Sequence, residues 1–211
     1  MEELTNEEIV IAGLGEVGGR GSRLRKAVRG EIGASRYRKQ FLERVHKLPR
    51  NIQKALMNGR AQISDAPYYA TAEIQGNRCE MIKPSQSEQI GITNIDGGKL
   101  GKDRYLVLSA IRLLWDTNAI DGSFTSSGMP DFMNGEWDME INGKKVFEKM
   151  PIRKFHDSWY GYRTQAQYAT YTLNNPKIIE PQTPIEFNVN FPNQVQGFLK
   201  VFLEGTVVYG N

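Results

Sequence analysis

The residue types that carry chemistry are few in this chain: two histidines, His46 and His156, one cysteine, Cys79, and spaced glycines near the start. One histidine falls in a basic segment and the other in a β-rich one, so with a single cysteine no zinc site is expected. His156-Asp157-Ser158 holds triad residue types, but triad members converge from separate elements and adjacent residues cannot. In a strand, His156 and Ser158 simply share a polar face. Asp116, Asp121 and Asp131 suit calcium by residue type but lack EF-hand spacing. Gly13, Gly15 and Gly18 fit the G-x-G-x-x-G pattern after Ile9-Val10-Ile11-Ala12. In a dinucleotide-binding unit such glycines let a pyrophosphate approach a helix N-terminus, and a second strand ends in an acid about 20 residues on. A densely basic helical segment stands there instead. A flexible glycine-rich extension is the other account of these residues. A nucleotide-binding enzyme using segment 13–18 is therefore one reading. The missing motifs favour a protein that is not an enzyme and uses no cofactor or metal.

Charge is the stronger signal. Residues 1–19 carry five acids and no base, and residues 20–60 carry thirteen Lys or Arg against two Glu. Residues 61–211 carry fourteen bases and seventeen acids. This asymmetry predicts an acidic, glycine-rich leader (1–19), a basic arm (20–60) and an ordinary domain (61–211). In the arm, Leu24, Val28 and Ile32, then Tyr37, Phe41 and Val45, recur every four residues, which puts an apolar stripe on one helical face. Two helical pieces are predicted, over 22–32 and 35–47, with Pro49 opposing continuation. A third short piece over 51–57 ends at Gly59. Arg20, Arg23, Arg25, Lys26, Arg29, Arg36, Arg38 and Lys39 are the candidate nucleic-acid contacts, because such side chains neutralise phosphates without reading sequence. Two other partners fit the pattern: an anionic lipid surface against the apolar face, and the chain's own domain or a neighbour. Tyr37 and Phe41 are the arm's only aromatics, so a stacking platform for single strands is not evident.

From about residue 60 the apolar period changes from four to two. Strands are predicted at 69–74, 78–82, 137–141, 168–173, 184–192 and 198–209. Asp103–Trp115 reads as one long buried strand or two in series. Asn142-Gly143 between alternating runs is a strong hairpin signal, since a type I′ turn needs positive φ twice. Gly205 marks a bulge or bend. Seven to nine strands with short connections and no regular helices predict an antiparallel β-sandwich or barrel. The connection 116–135 is long, and Phe124, Met129, Phe132 and Met133 within it are candidate interface residues. They either meet a partner or tuck back onto the domain.

A chain of 211 residues is long enough for one full-sized domain and an extension, or for two small domains. One cysteine excludes an internal disulfide and reads as a buried, inert thiol. The acidic start lacks the order of a signal peptide, and no apolar run approaches the ~18 residues that span a bilayer. The expectation is a protein used in a cytoplasm or in a particle built there.

This layout, a basic amphipathic arm at 20–60 followed by a β region at 61–211, resembles that of jelly-roll viral coat proteins. The end, Ile178–Val189 and Leu199–Thr206, is similar to the last strands of such bacteriophage virion proteins. The resemblance covers most of the chain in layout. It implies a jelly-roll-like sandwich with a basic, partly α-helical N-terminal arm. It further implies a structural virion protein, assembled in a host cytoplasm as a homo-oligomer or with other virion proteins. The arm would meet packaged nucleic acid or a neighbouring subunit. The acidic leader departs from many such arms and suits a neighbour's basic segment. A phage tail, vertex or host-attachment component is the alternative within the same class.

Overall fold

The computed structural model describes residues 36–117, 120–122, 124, 131–155 and 169–210, with the backbone alone at 36, 37, 131 and 132. Among these residues two helices come first, α1 (Arg36–Arg44) and α2 (Arg50–Met57), separated by a 3-10 turn at Val45–Lys47. Nine strands follow: β1 (Gln62–Ser64), β2 (Tyr68–Glu73), β3 (Arg78–Ile82), β4 (Arg104–Asp116), β5 (Glu136–Ile141), β6 (Lys144–Pro151), β7 (Thr170–Ile179), β8 (Ile185–Asn190) and β9 (Phe198–Tyr209). The chain is thus mainly β. The predicted helix over 22–32 lies outside the described residues. The other two predicted helices are present, divided by Pro49, and Gly59 follows the second with φ +65°.

The strands form two antiparallel sheets, ordered β1/β2-β9-β4-β7 and β3-β8-β5-β6. Their pairing is nested: β5 with β6, β4 with β7, β3 with β8 and β2 with β9. One antiparallel ribbon, doubled back at Asn142-Gly143, accounts for all four pairs. Rolling the ribbon drops successive pairs into alternate sheets. Both turn residues have positive φ, 55° and 69°, as the sequence requires of them.

Alternation sets the core. Ile185, Phe187 and Val189 of β8 face inward with Trp137 and Met139 of β5, against Leu199, Val201 and Leu203 of β9. Trp137 stacks on Phe187 at 5.3 Å and contacts Phe155 at 5.4 Å. The long run 104–116 is one strand with a fault in it. Leu108 pairs with Gly205 but Ala110 pairs with Glu204, so Ser109 is an extra residue. The bulge inverts the phase: Leu106 and Leu108 are in the core before it, Ile111 and Leu113 after it. Gly205 sits at this fault, and a Cβ there would overlap the Val107 carbonyl. β7 answers with a larger excursion, since Leu108 pairs with Lys177 and Ala110 with Thr172. Pro176 falls in that excursion, on an edge strand, where a missing N–H is tolerated. β7 therefore runs beyond the predicted 168–173 segment.

Candidate nucleic-acid interface

The basic segment is built into the fold from residue 36 onward. Phe41, Leu42, Val45, Leu48, Ile52 and Leu56 are buried against Val107 of β4 and Val208 of β9, with Tyr105 and Ile178 alongside. These four strand residues point away from the main core, so α1 and α2 cover the outer face of the β9-centred sheet. Polar clamps fix the layer. Gln40 Nε2 donates to the Leu173 carbonyl at 2.8 Å, and Arg44 Nη2 donates to Asn175 Oδ1 at 3.2 Å. Both acceptors belong to the β7 excursion opposite the bulge, so the fault in the sheet is also the seat of α1. Gln53 Nε2 donates to the carbonyls of His46 (3.0 Å) and Leu48 (2.6 Å), tying α2 to the turn before it.

With the apolar stripe facing the sheet, the charges face solvent. Residues 36–60 contain eight Lys or Arg and one acid, Glu43. Lys39, Lys47, Arg50, Lys54 and Arg60 are exposed. Such a surface attracts phosphates through charge alone, and its binding weakens as salt rises. Phe41, the aromatic side chain described in this layer, is buried, so it offers no ring for base stacking. The opposite sheet presents a different surface. Glu80, Glu136, Asp138, Glu140 and Glu186 alternate with inward-facing residues of β3, β5 and β8. Arg78 pairs with Glu80 at 3.0 Å. On the hairpin, Lys145 pairs with Glu148 at 3.3 Å, which holds its ammonium above the usual lysine range. The sandwich is basic over one sheet and mixed over the other, whose four strands carry six acids and the bases Arg78, Lys144, Lys145 and Lys149.

Of the expected contacts, Arg38 and Lys39 fall within the layer, and Arg36 lies in the first turn of α1. Arg20, Arg23, Arg25, Lys26 and Arg29 lie outside the described residues. Lys47, Arg50, Lys54 and Arg60 extend the basic surface beyond the expected contact set. Their signal was the four-residue spacing of Leu48, Ile52 and Leu56, which continues the stripe past Pro49.

The long loop folds onto its own domain where it is described. Phe124 is 6% exposed, and Met133 packs against the main core. Phe124 has φ +52°, and its N–H donates to Asp116 Oδ2 at 2.9 Å. The Asp116 carboxylate therefore closes the loop on itself. Phe124 then lies over Lys200, whose ammonium is 4.9, 5.5 and 5.7 Å from the ring centres of Tyr69, Phe124 and Phe202. Burial lowers the Lys200 pKa. Phe132 is described by backbone alone and Met129 lies outside the described residues. So do Gly13, Gly15 and Gly18, and His156, Asp157 and Ser158.

Among the described residues no cluster of His, Cys, Asp or Glu is arranged to hold a metal ion, and no helix is long and apolar enough to cross a membrane. His46 is exposed in the basic layer. Comparison of the chain with protein-family models, curated proteins and solved structures finds no match.

Proposed function

We propose that this chain is a structural virion protein: a jelly-roll subunit that assembles with copies of itself into a shell, its basic layer turned to packaged nucleic acid. The role is structural and not catalytic, and the particle is of the bacteriophage type, assembled in a host cytoplasm. One observation carries the reading. Four nested strand pairs in two antiparallel sheets, an arrangement that suits a jelly roll, bear a basic layer on one sheet while the other carries six acids among four bases. A shell subunit needs that polarity. Its inner side meets a polyanion and its outer side does not.

The test is electron microscopy of the purified full-length protein, with a salt titration of binding to duplex DNA and to RNA. Closed particles are expected, with binding that falls linearly in log affinity against log salt. The triple variant Lys47→Glu, Arg50→Glu, Lys54→Glu should flatten that slope, by about 0.9 for each duplex phosphate it no longer neutralises. Protein that stays monomeric at every salt and concentration sinks the shell reading. Rings or tubes in place of shells would move the chain to a tail, vertex or attachment role. An unchanged slope would remove the basic layer from nucleic-acid binding. Equal affinity for anionic vesicles and nucleic acid would favour a lipid surface.

A further inference from the structure

The helical layer covers one end of the β9-centred sheet, at Val107 and Val208. Toward the other end, the same outer face carries a lysine enclosed by aromatic rings. Alternation puts it there. Tyr69 of β2 pairs with Phe202 of β9, and Lys200, two residues earlier on β9, pairs with Thr71. Side chains two apart in a strand share a face, so Lys200 stands beside both rings. Phe124 supplies a third ring, brought over Lys200 from the connection after β4. All three ring centres lie within about 6 Å of the ammonium, the range in which a ring face attracts a cation.

The ammonium also reaches the loop 83–93. Lys200 Nζ donates to the Gly91 carbonyl at 2.9 Å, and the Gly91 N–H donates to the Tyr69 hydroxyl at 3.3 Å. The Gly91 peptides are thus held on both sides by the cluster. The loop's own shoulders are Gln89 and Thr93, which exchange both backbone hydrogen bonds, each at 2.9 Å. Phe124 is fixed from a different direction, by the bond from its N–H to Asp116 Oδ2 at 2.9 Å. Two segments far apart in sequence therefore meet on one cation. A half-buried ammonium has given up part of its water, and here the Gly91 carbonyl and three rings replace it. Taking away either support makes the enclosed position less favourable than solvent, and the other support then loses its partner.

We propose that Lys200 is a clasp that couples the loop 83–93 to Phe124, so that releasing one releases the other. The coupling is reciprocal, as linkage requires. A contact that draws Gly91 away from Lys200 frees the Phe124 ring, and one that displaces Phe124 loosens the loop. The device belongs to the single subunit and does not rest on the shell reading. A second route between the segments exists, because Ile120 lines the same groove between β2 and β3 as Gln89 and Ile92. A double-mutant cycle separates the two routes.

The test is amide hydrogen exchange of the full-length protein, read at Gln89 and Thr93 in the loop and at Phe124. Lys200→Met keeps the apolar stem and removes the charge. It should speed exchange at all three amides by about tenfold, the loss expected of a hydrogen bond to a charged group. Phe124→Ala should speed Gln89 and Thr93 severalfold when Lys200 is present and leave them unchanged in the Lys200→Met background, where the route is already cut. Loop amides that ignore Phe124→Ala in the wild-type background overturn the clasp. So does an equal acceleration in both backgrounds, which assigns the coupling to the Ile120 side. If Phe124→Ala does not fold, Tyr69→Phe reads the coupling in reverse by removing only the hydroxyl that holds the Gly91 N–H. Faster exchange at Phe124 is then expected, and unchanged exchange there overturns the proposal.

Discussion

Cys79 shows how a single inward position fixes a titration. It lies on β3 with its Sγ 3.5 Å from the Glu73 carbonyl and 3.4 Å from Met81 Sδ. Burial pushes its thiol up from 9.0 to about 12, Lys83 opposes the shift, and Glu80 adds to it. Below pH 9 the thiol is protonated in both folded and unfolded chains, and the fold keeps this contribution in full. Between pH 9 and 12 the unfolded chain releases the proton and the folded chain keeps it. Stability therefore falls as pH rises through that window, at a slope approaching about 1.4 kcal/mol per pH unit from this group. Urea melts of wild type and Cys79→Ala from pH 8 to 11 check this. The variant is offset by its cavity, and the gap between the two should narrow above pH 9. Curves that stay parallel would mean the thiol is not held protonated by the fold.

At the scale of elements, the helical layer and the sheet beneath it should behave as one unit. Ile52 is buried between α2 and the end of β9, close enough that a Cβ on Gly210 would come within 2.5 Å of its Cδ1. Ile52→Ala should destabilise the protein by about 2–4 kcal/mol. The change should appear equally in helical circular dichroism and in the fluorescence of Trp137, which lies in the β core. A fluorescence transition that does not move would mean the layer melts on its own. Much of this was legible in sequence. Alternation in 184–192, the Asn-Gly turn and the four-residue stripe are local signals, and among the described residues each element formed where its signal stood. The docking was not legible, because a stripe shows that a helix has an apolar face and not what lies under it. The run 104–116 was ambiguous because Ser109 inverts its phase, so both parities are buried and no alternation survives. β1 has three residues and no period to read. By residue type Phe124 and Met133 suit either a partner or their own domain, and the fold packs them onto the domain.

Among the described residues the charge is laid unevenly across the sandwich, and on the shell reading this gives nucleic-acid binding a direction. Lys39, Lys47 and Lys54 project from the layer over one sheet, whereas Lys145 and Lys149 belong to the hairpin of the other. The second group stands among carboxylates: Glu148 pairs with Lys145, and Asp138 Oδ1 accepts from the Lys149 N–H at 2.8 Å. A polyanion near the protein is drawn more strongly to the first surface than to the second, over a range of about 8–10 Å at ordinary salt. Lysine acetylation footprinting with bound nucleic acid follows directly. Lys39, Lys47 and Lys54 should be protected, and Lys145 and Lys149 should react as in the free protein. Raising salt should restore reactivity at the first three together, because one counterion-release equilibrium governs all of them. Equal protection on both faces would show that nucleic acid wraps the subunit, and the inside-outside polarity on which the shell reading depends would fail with it.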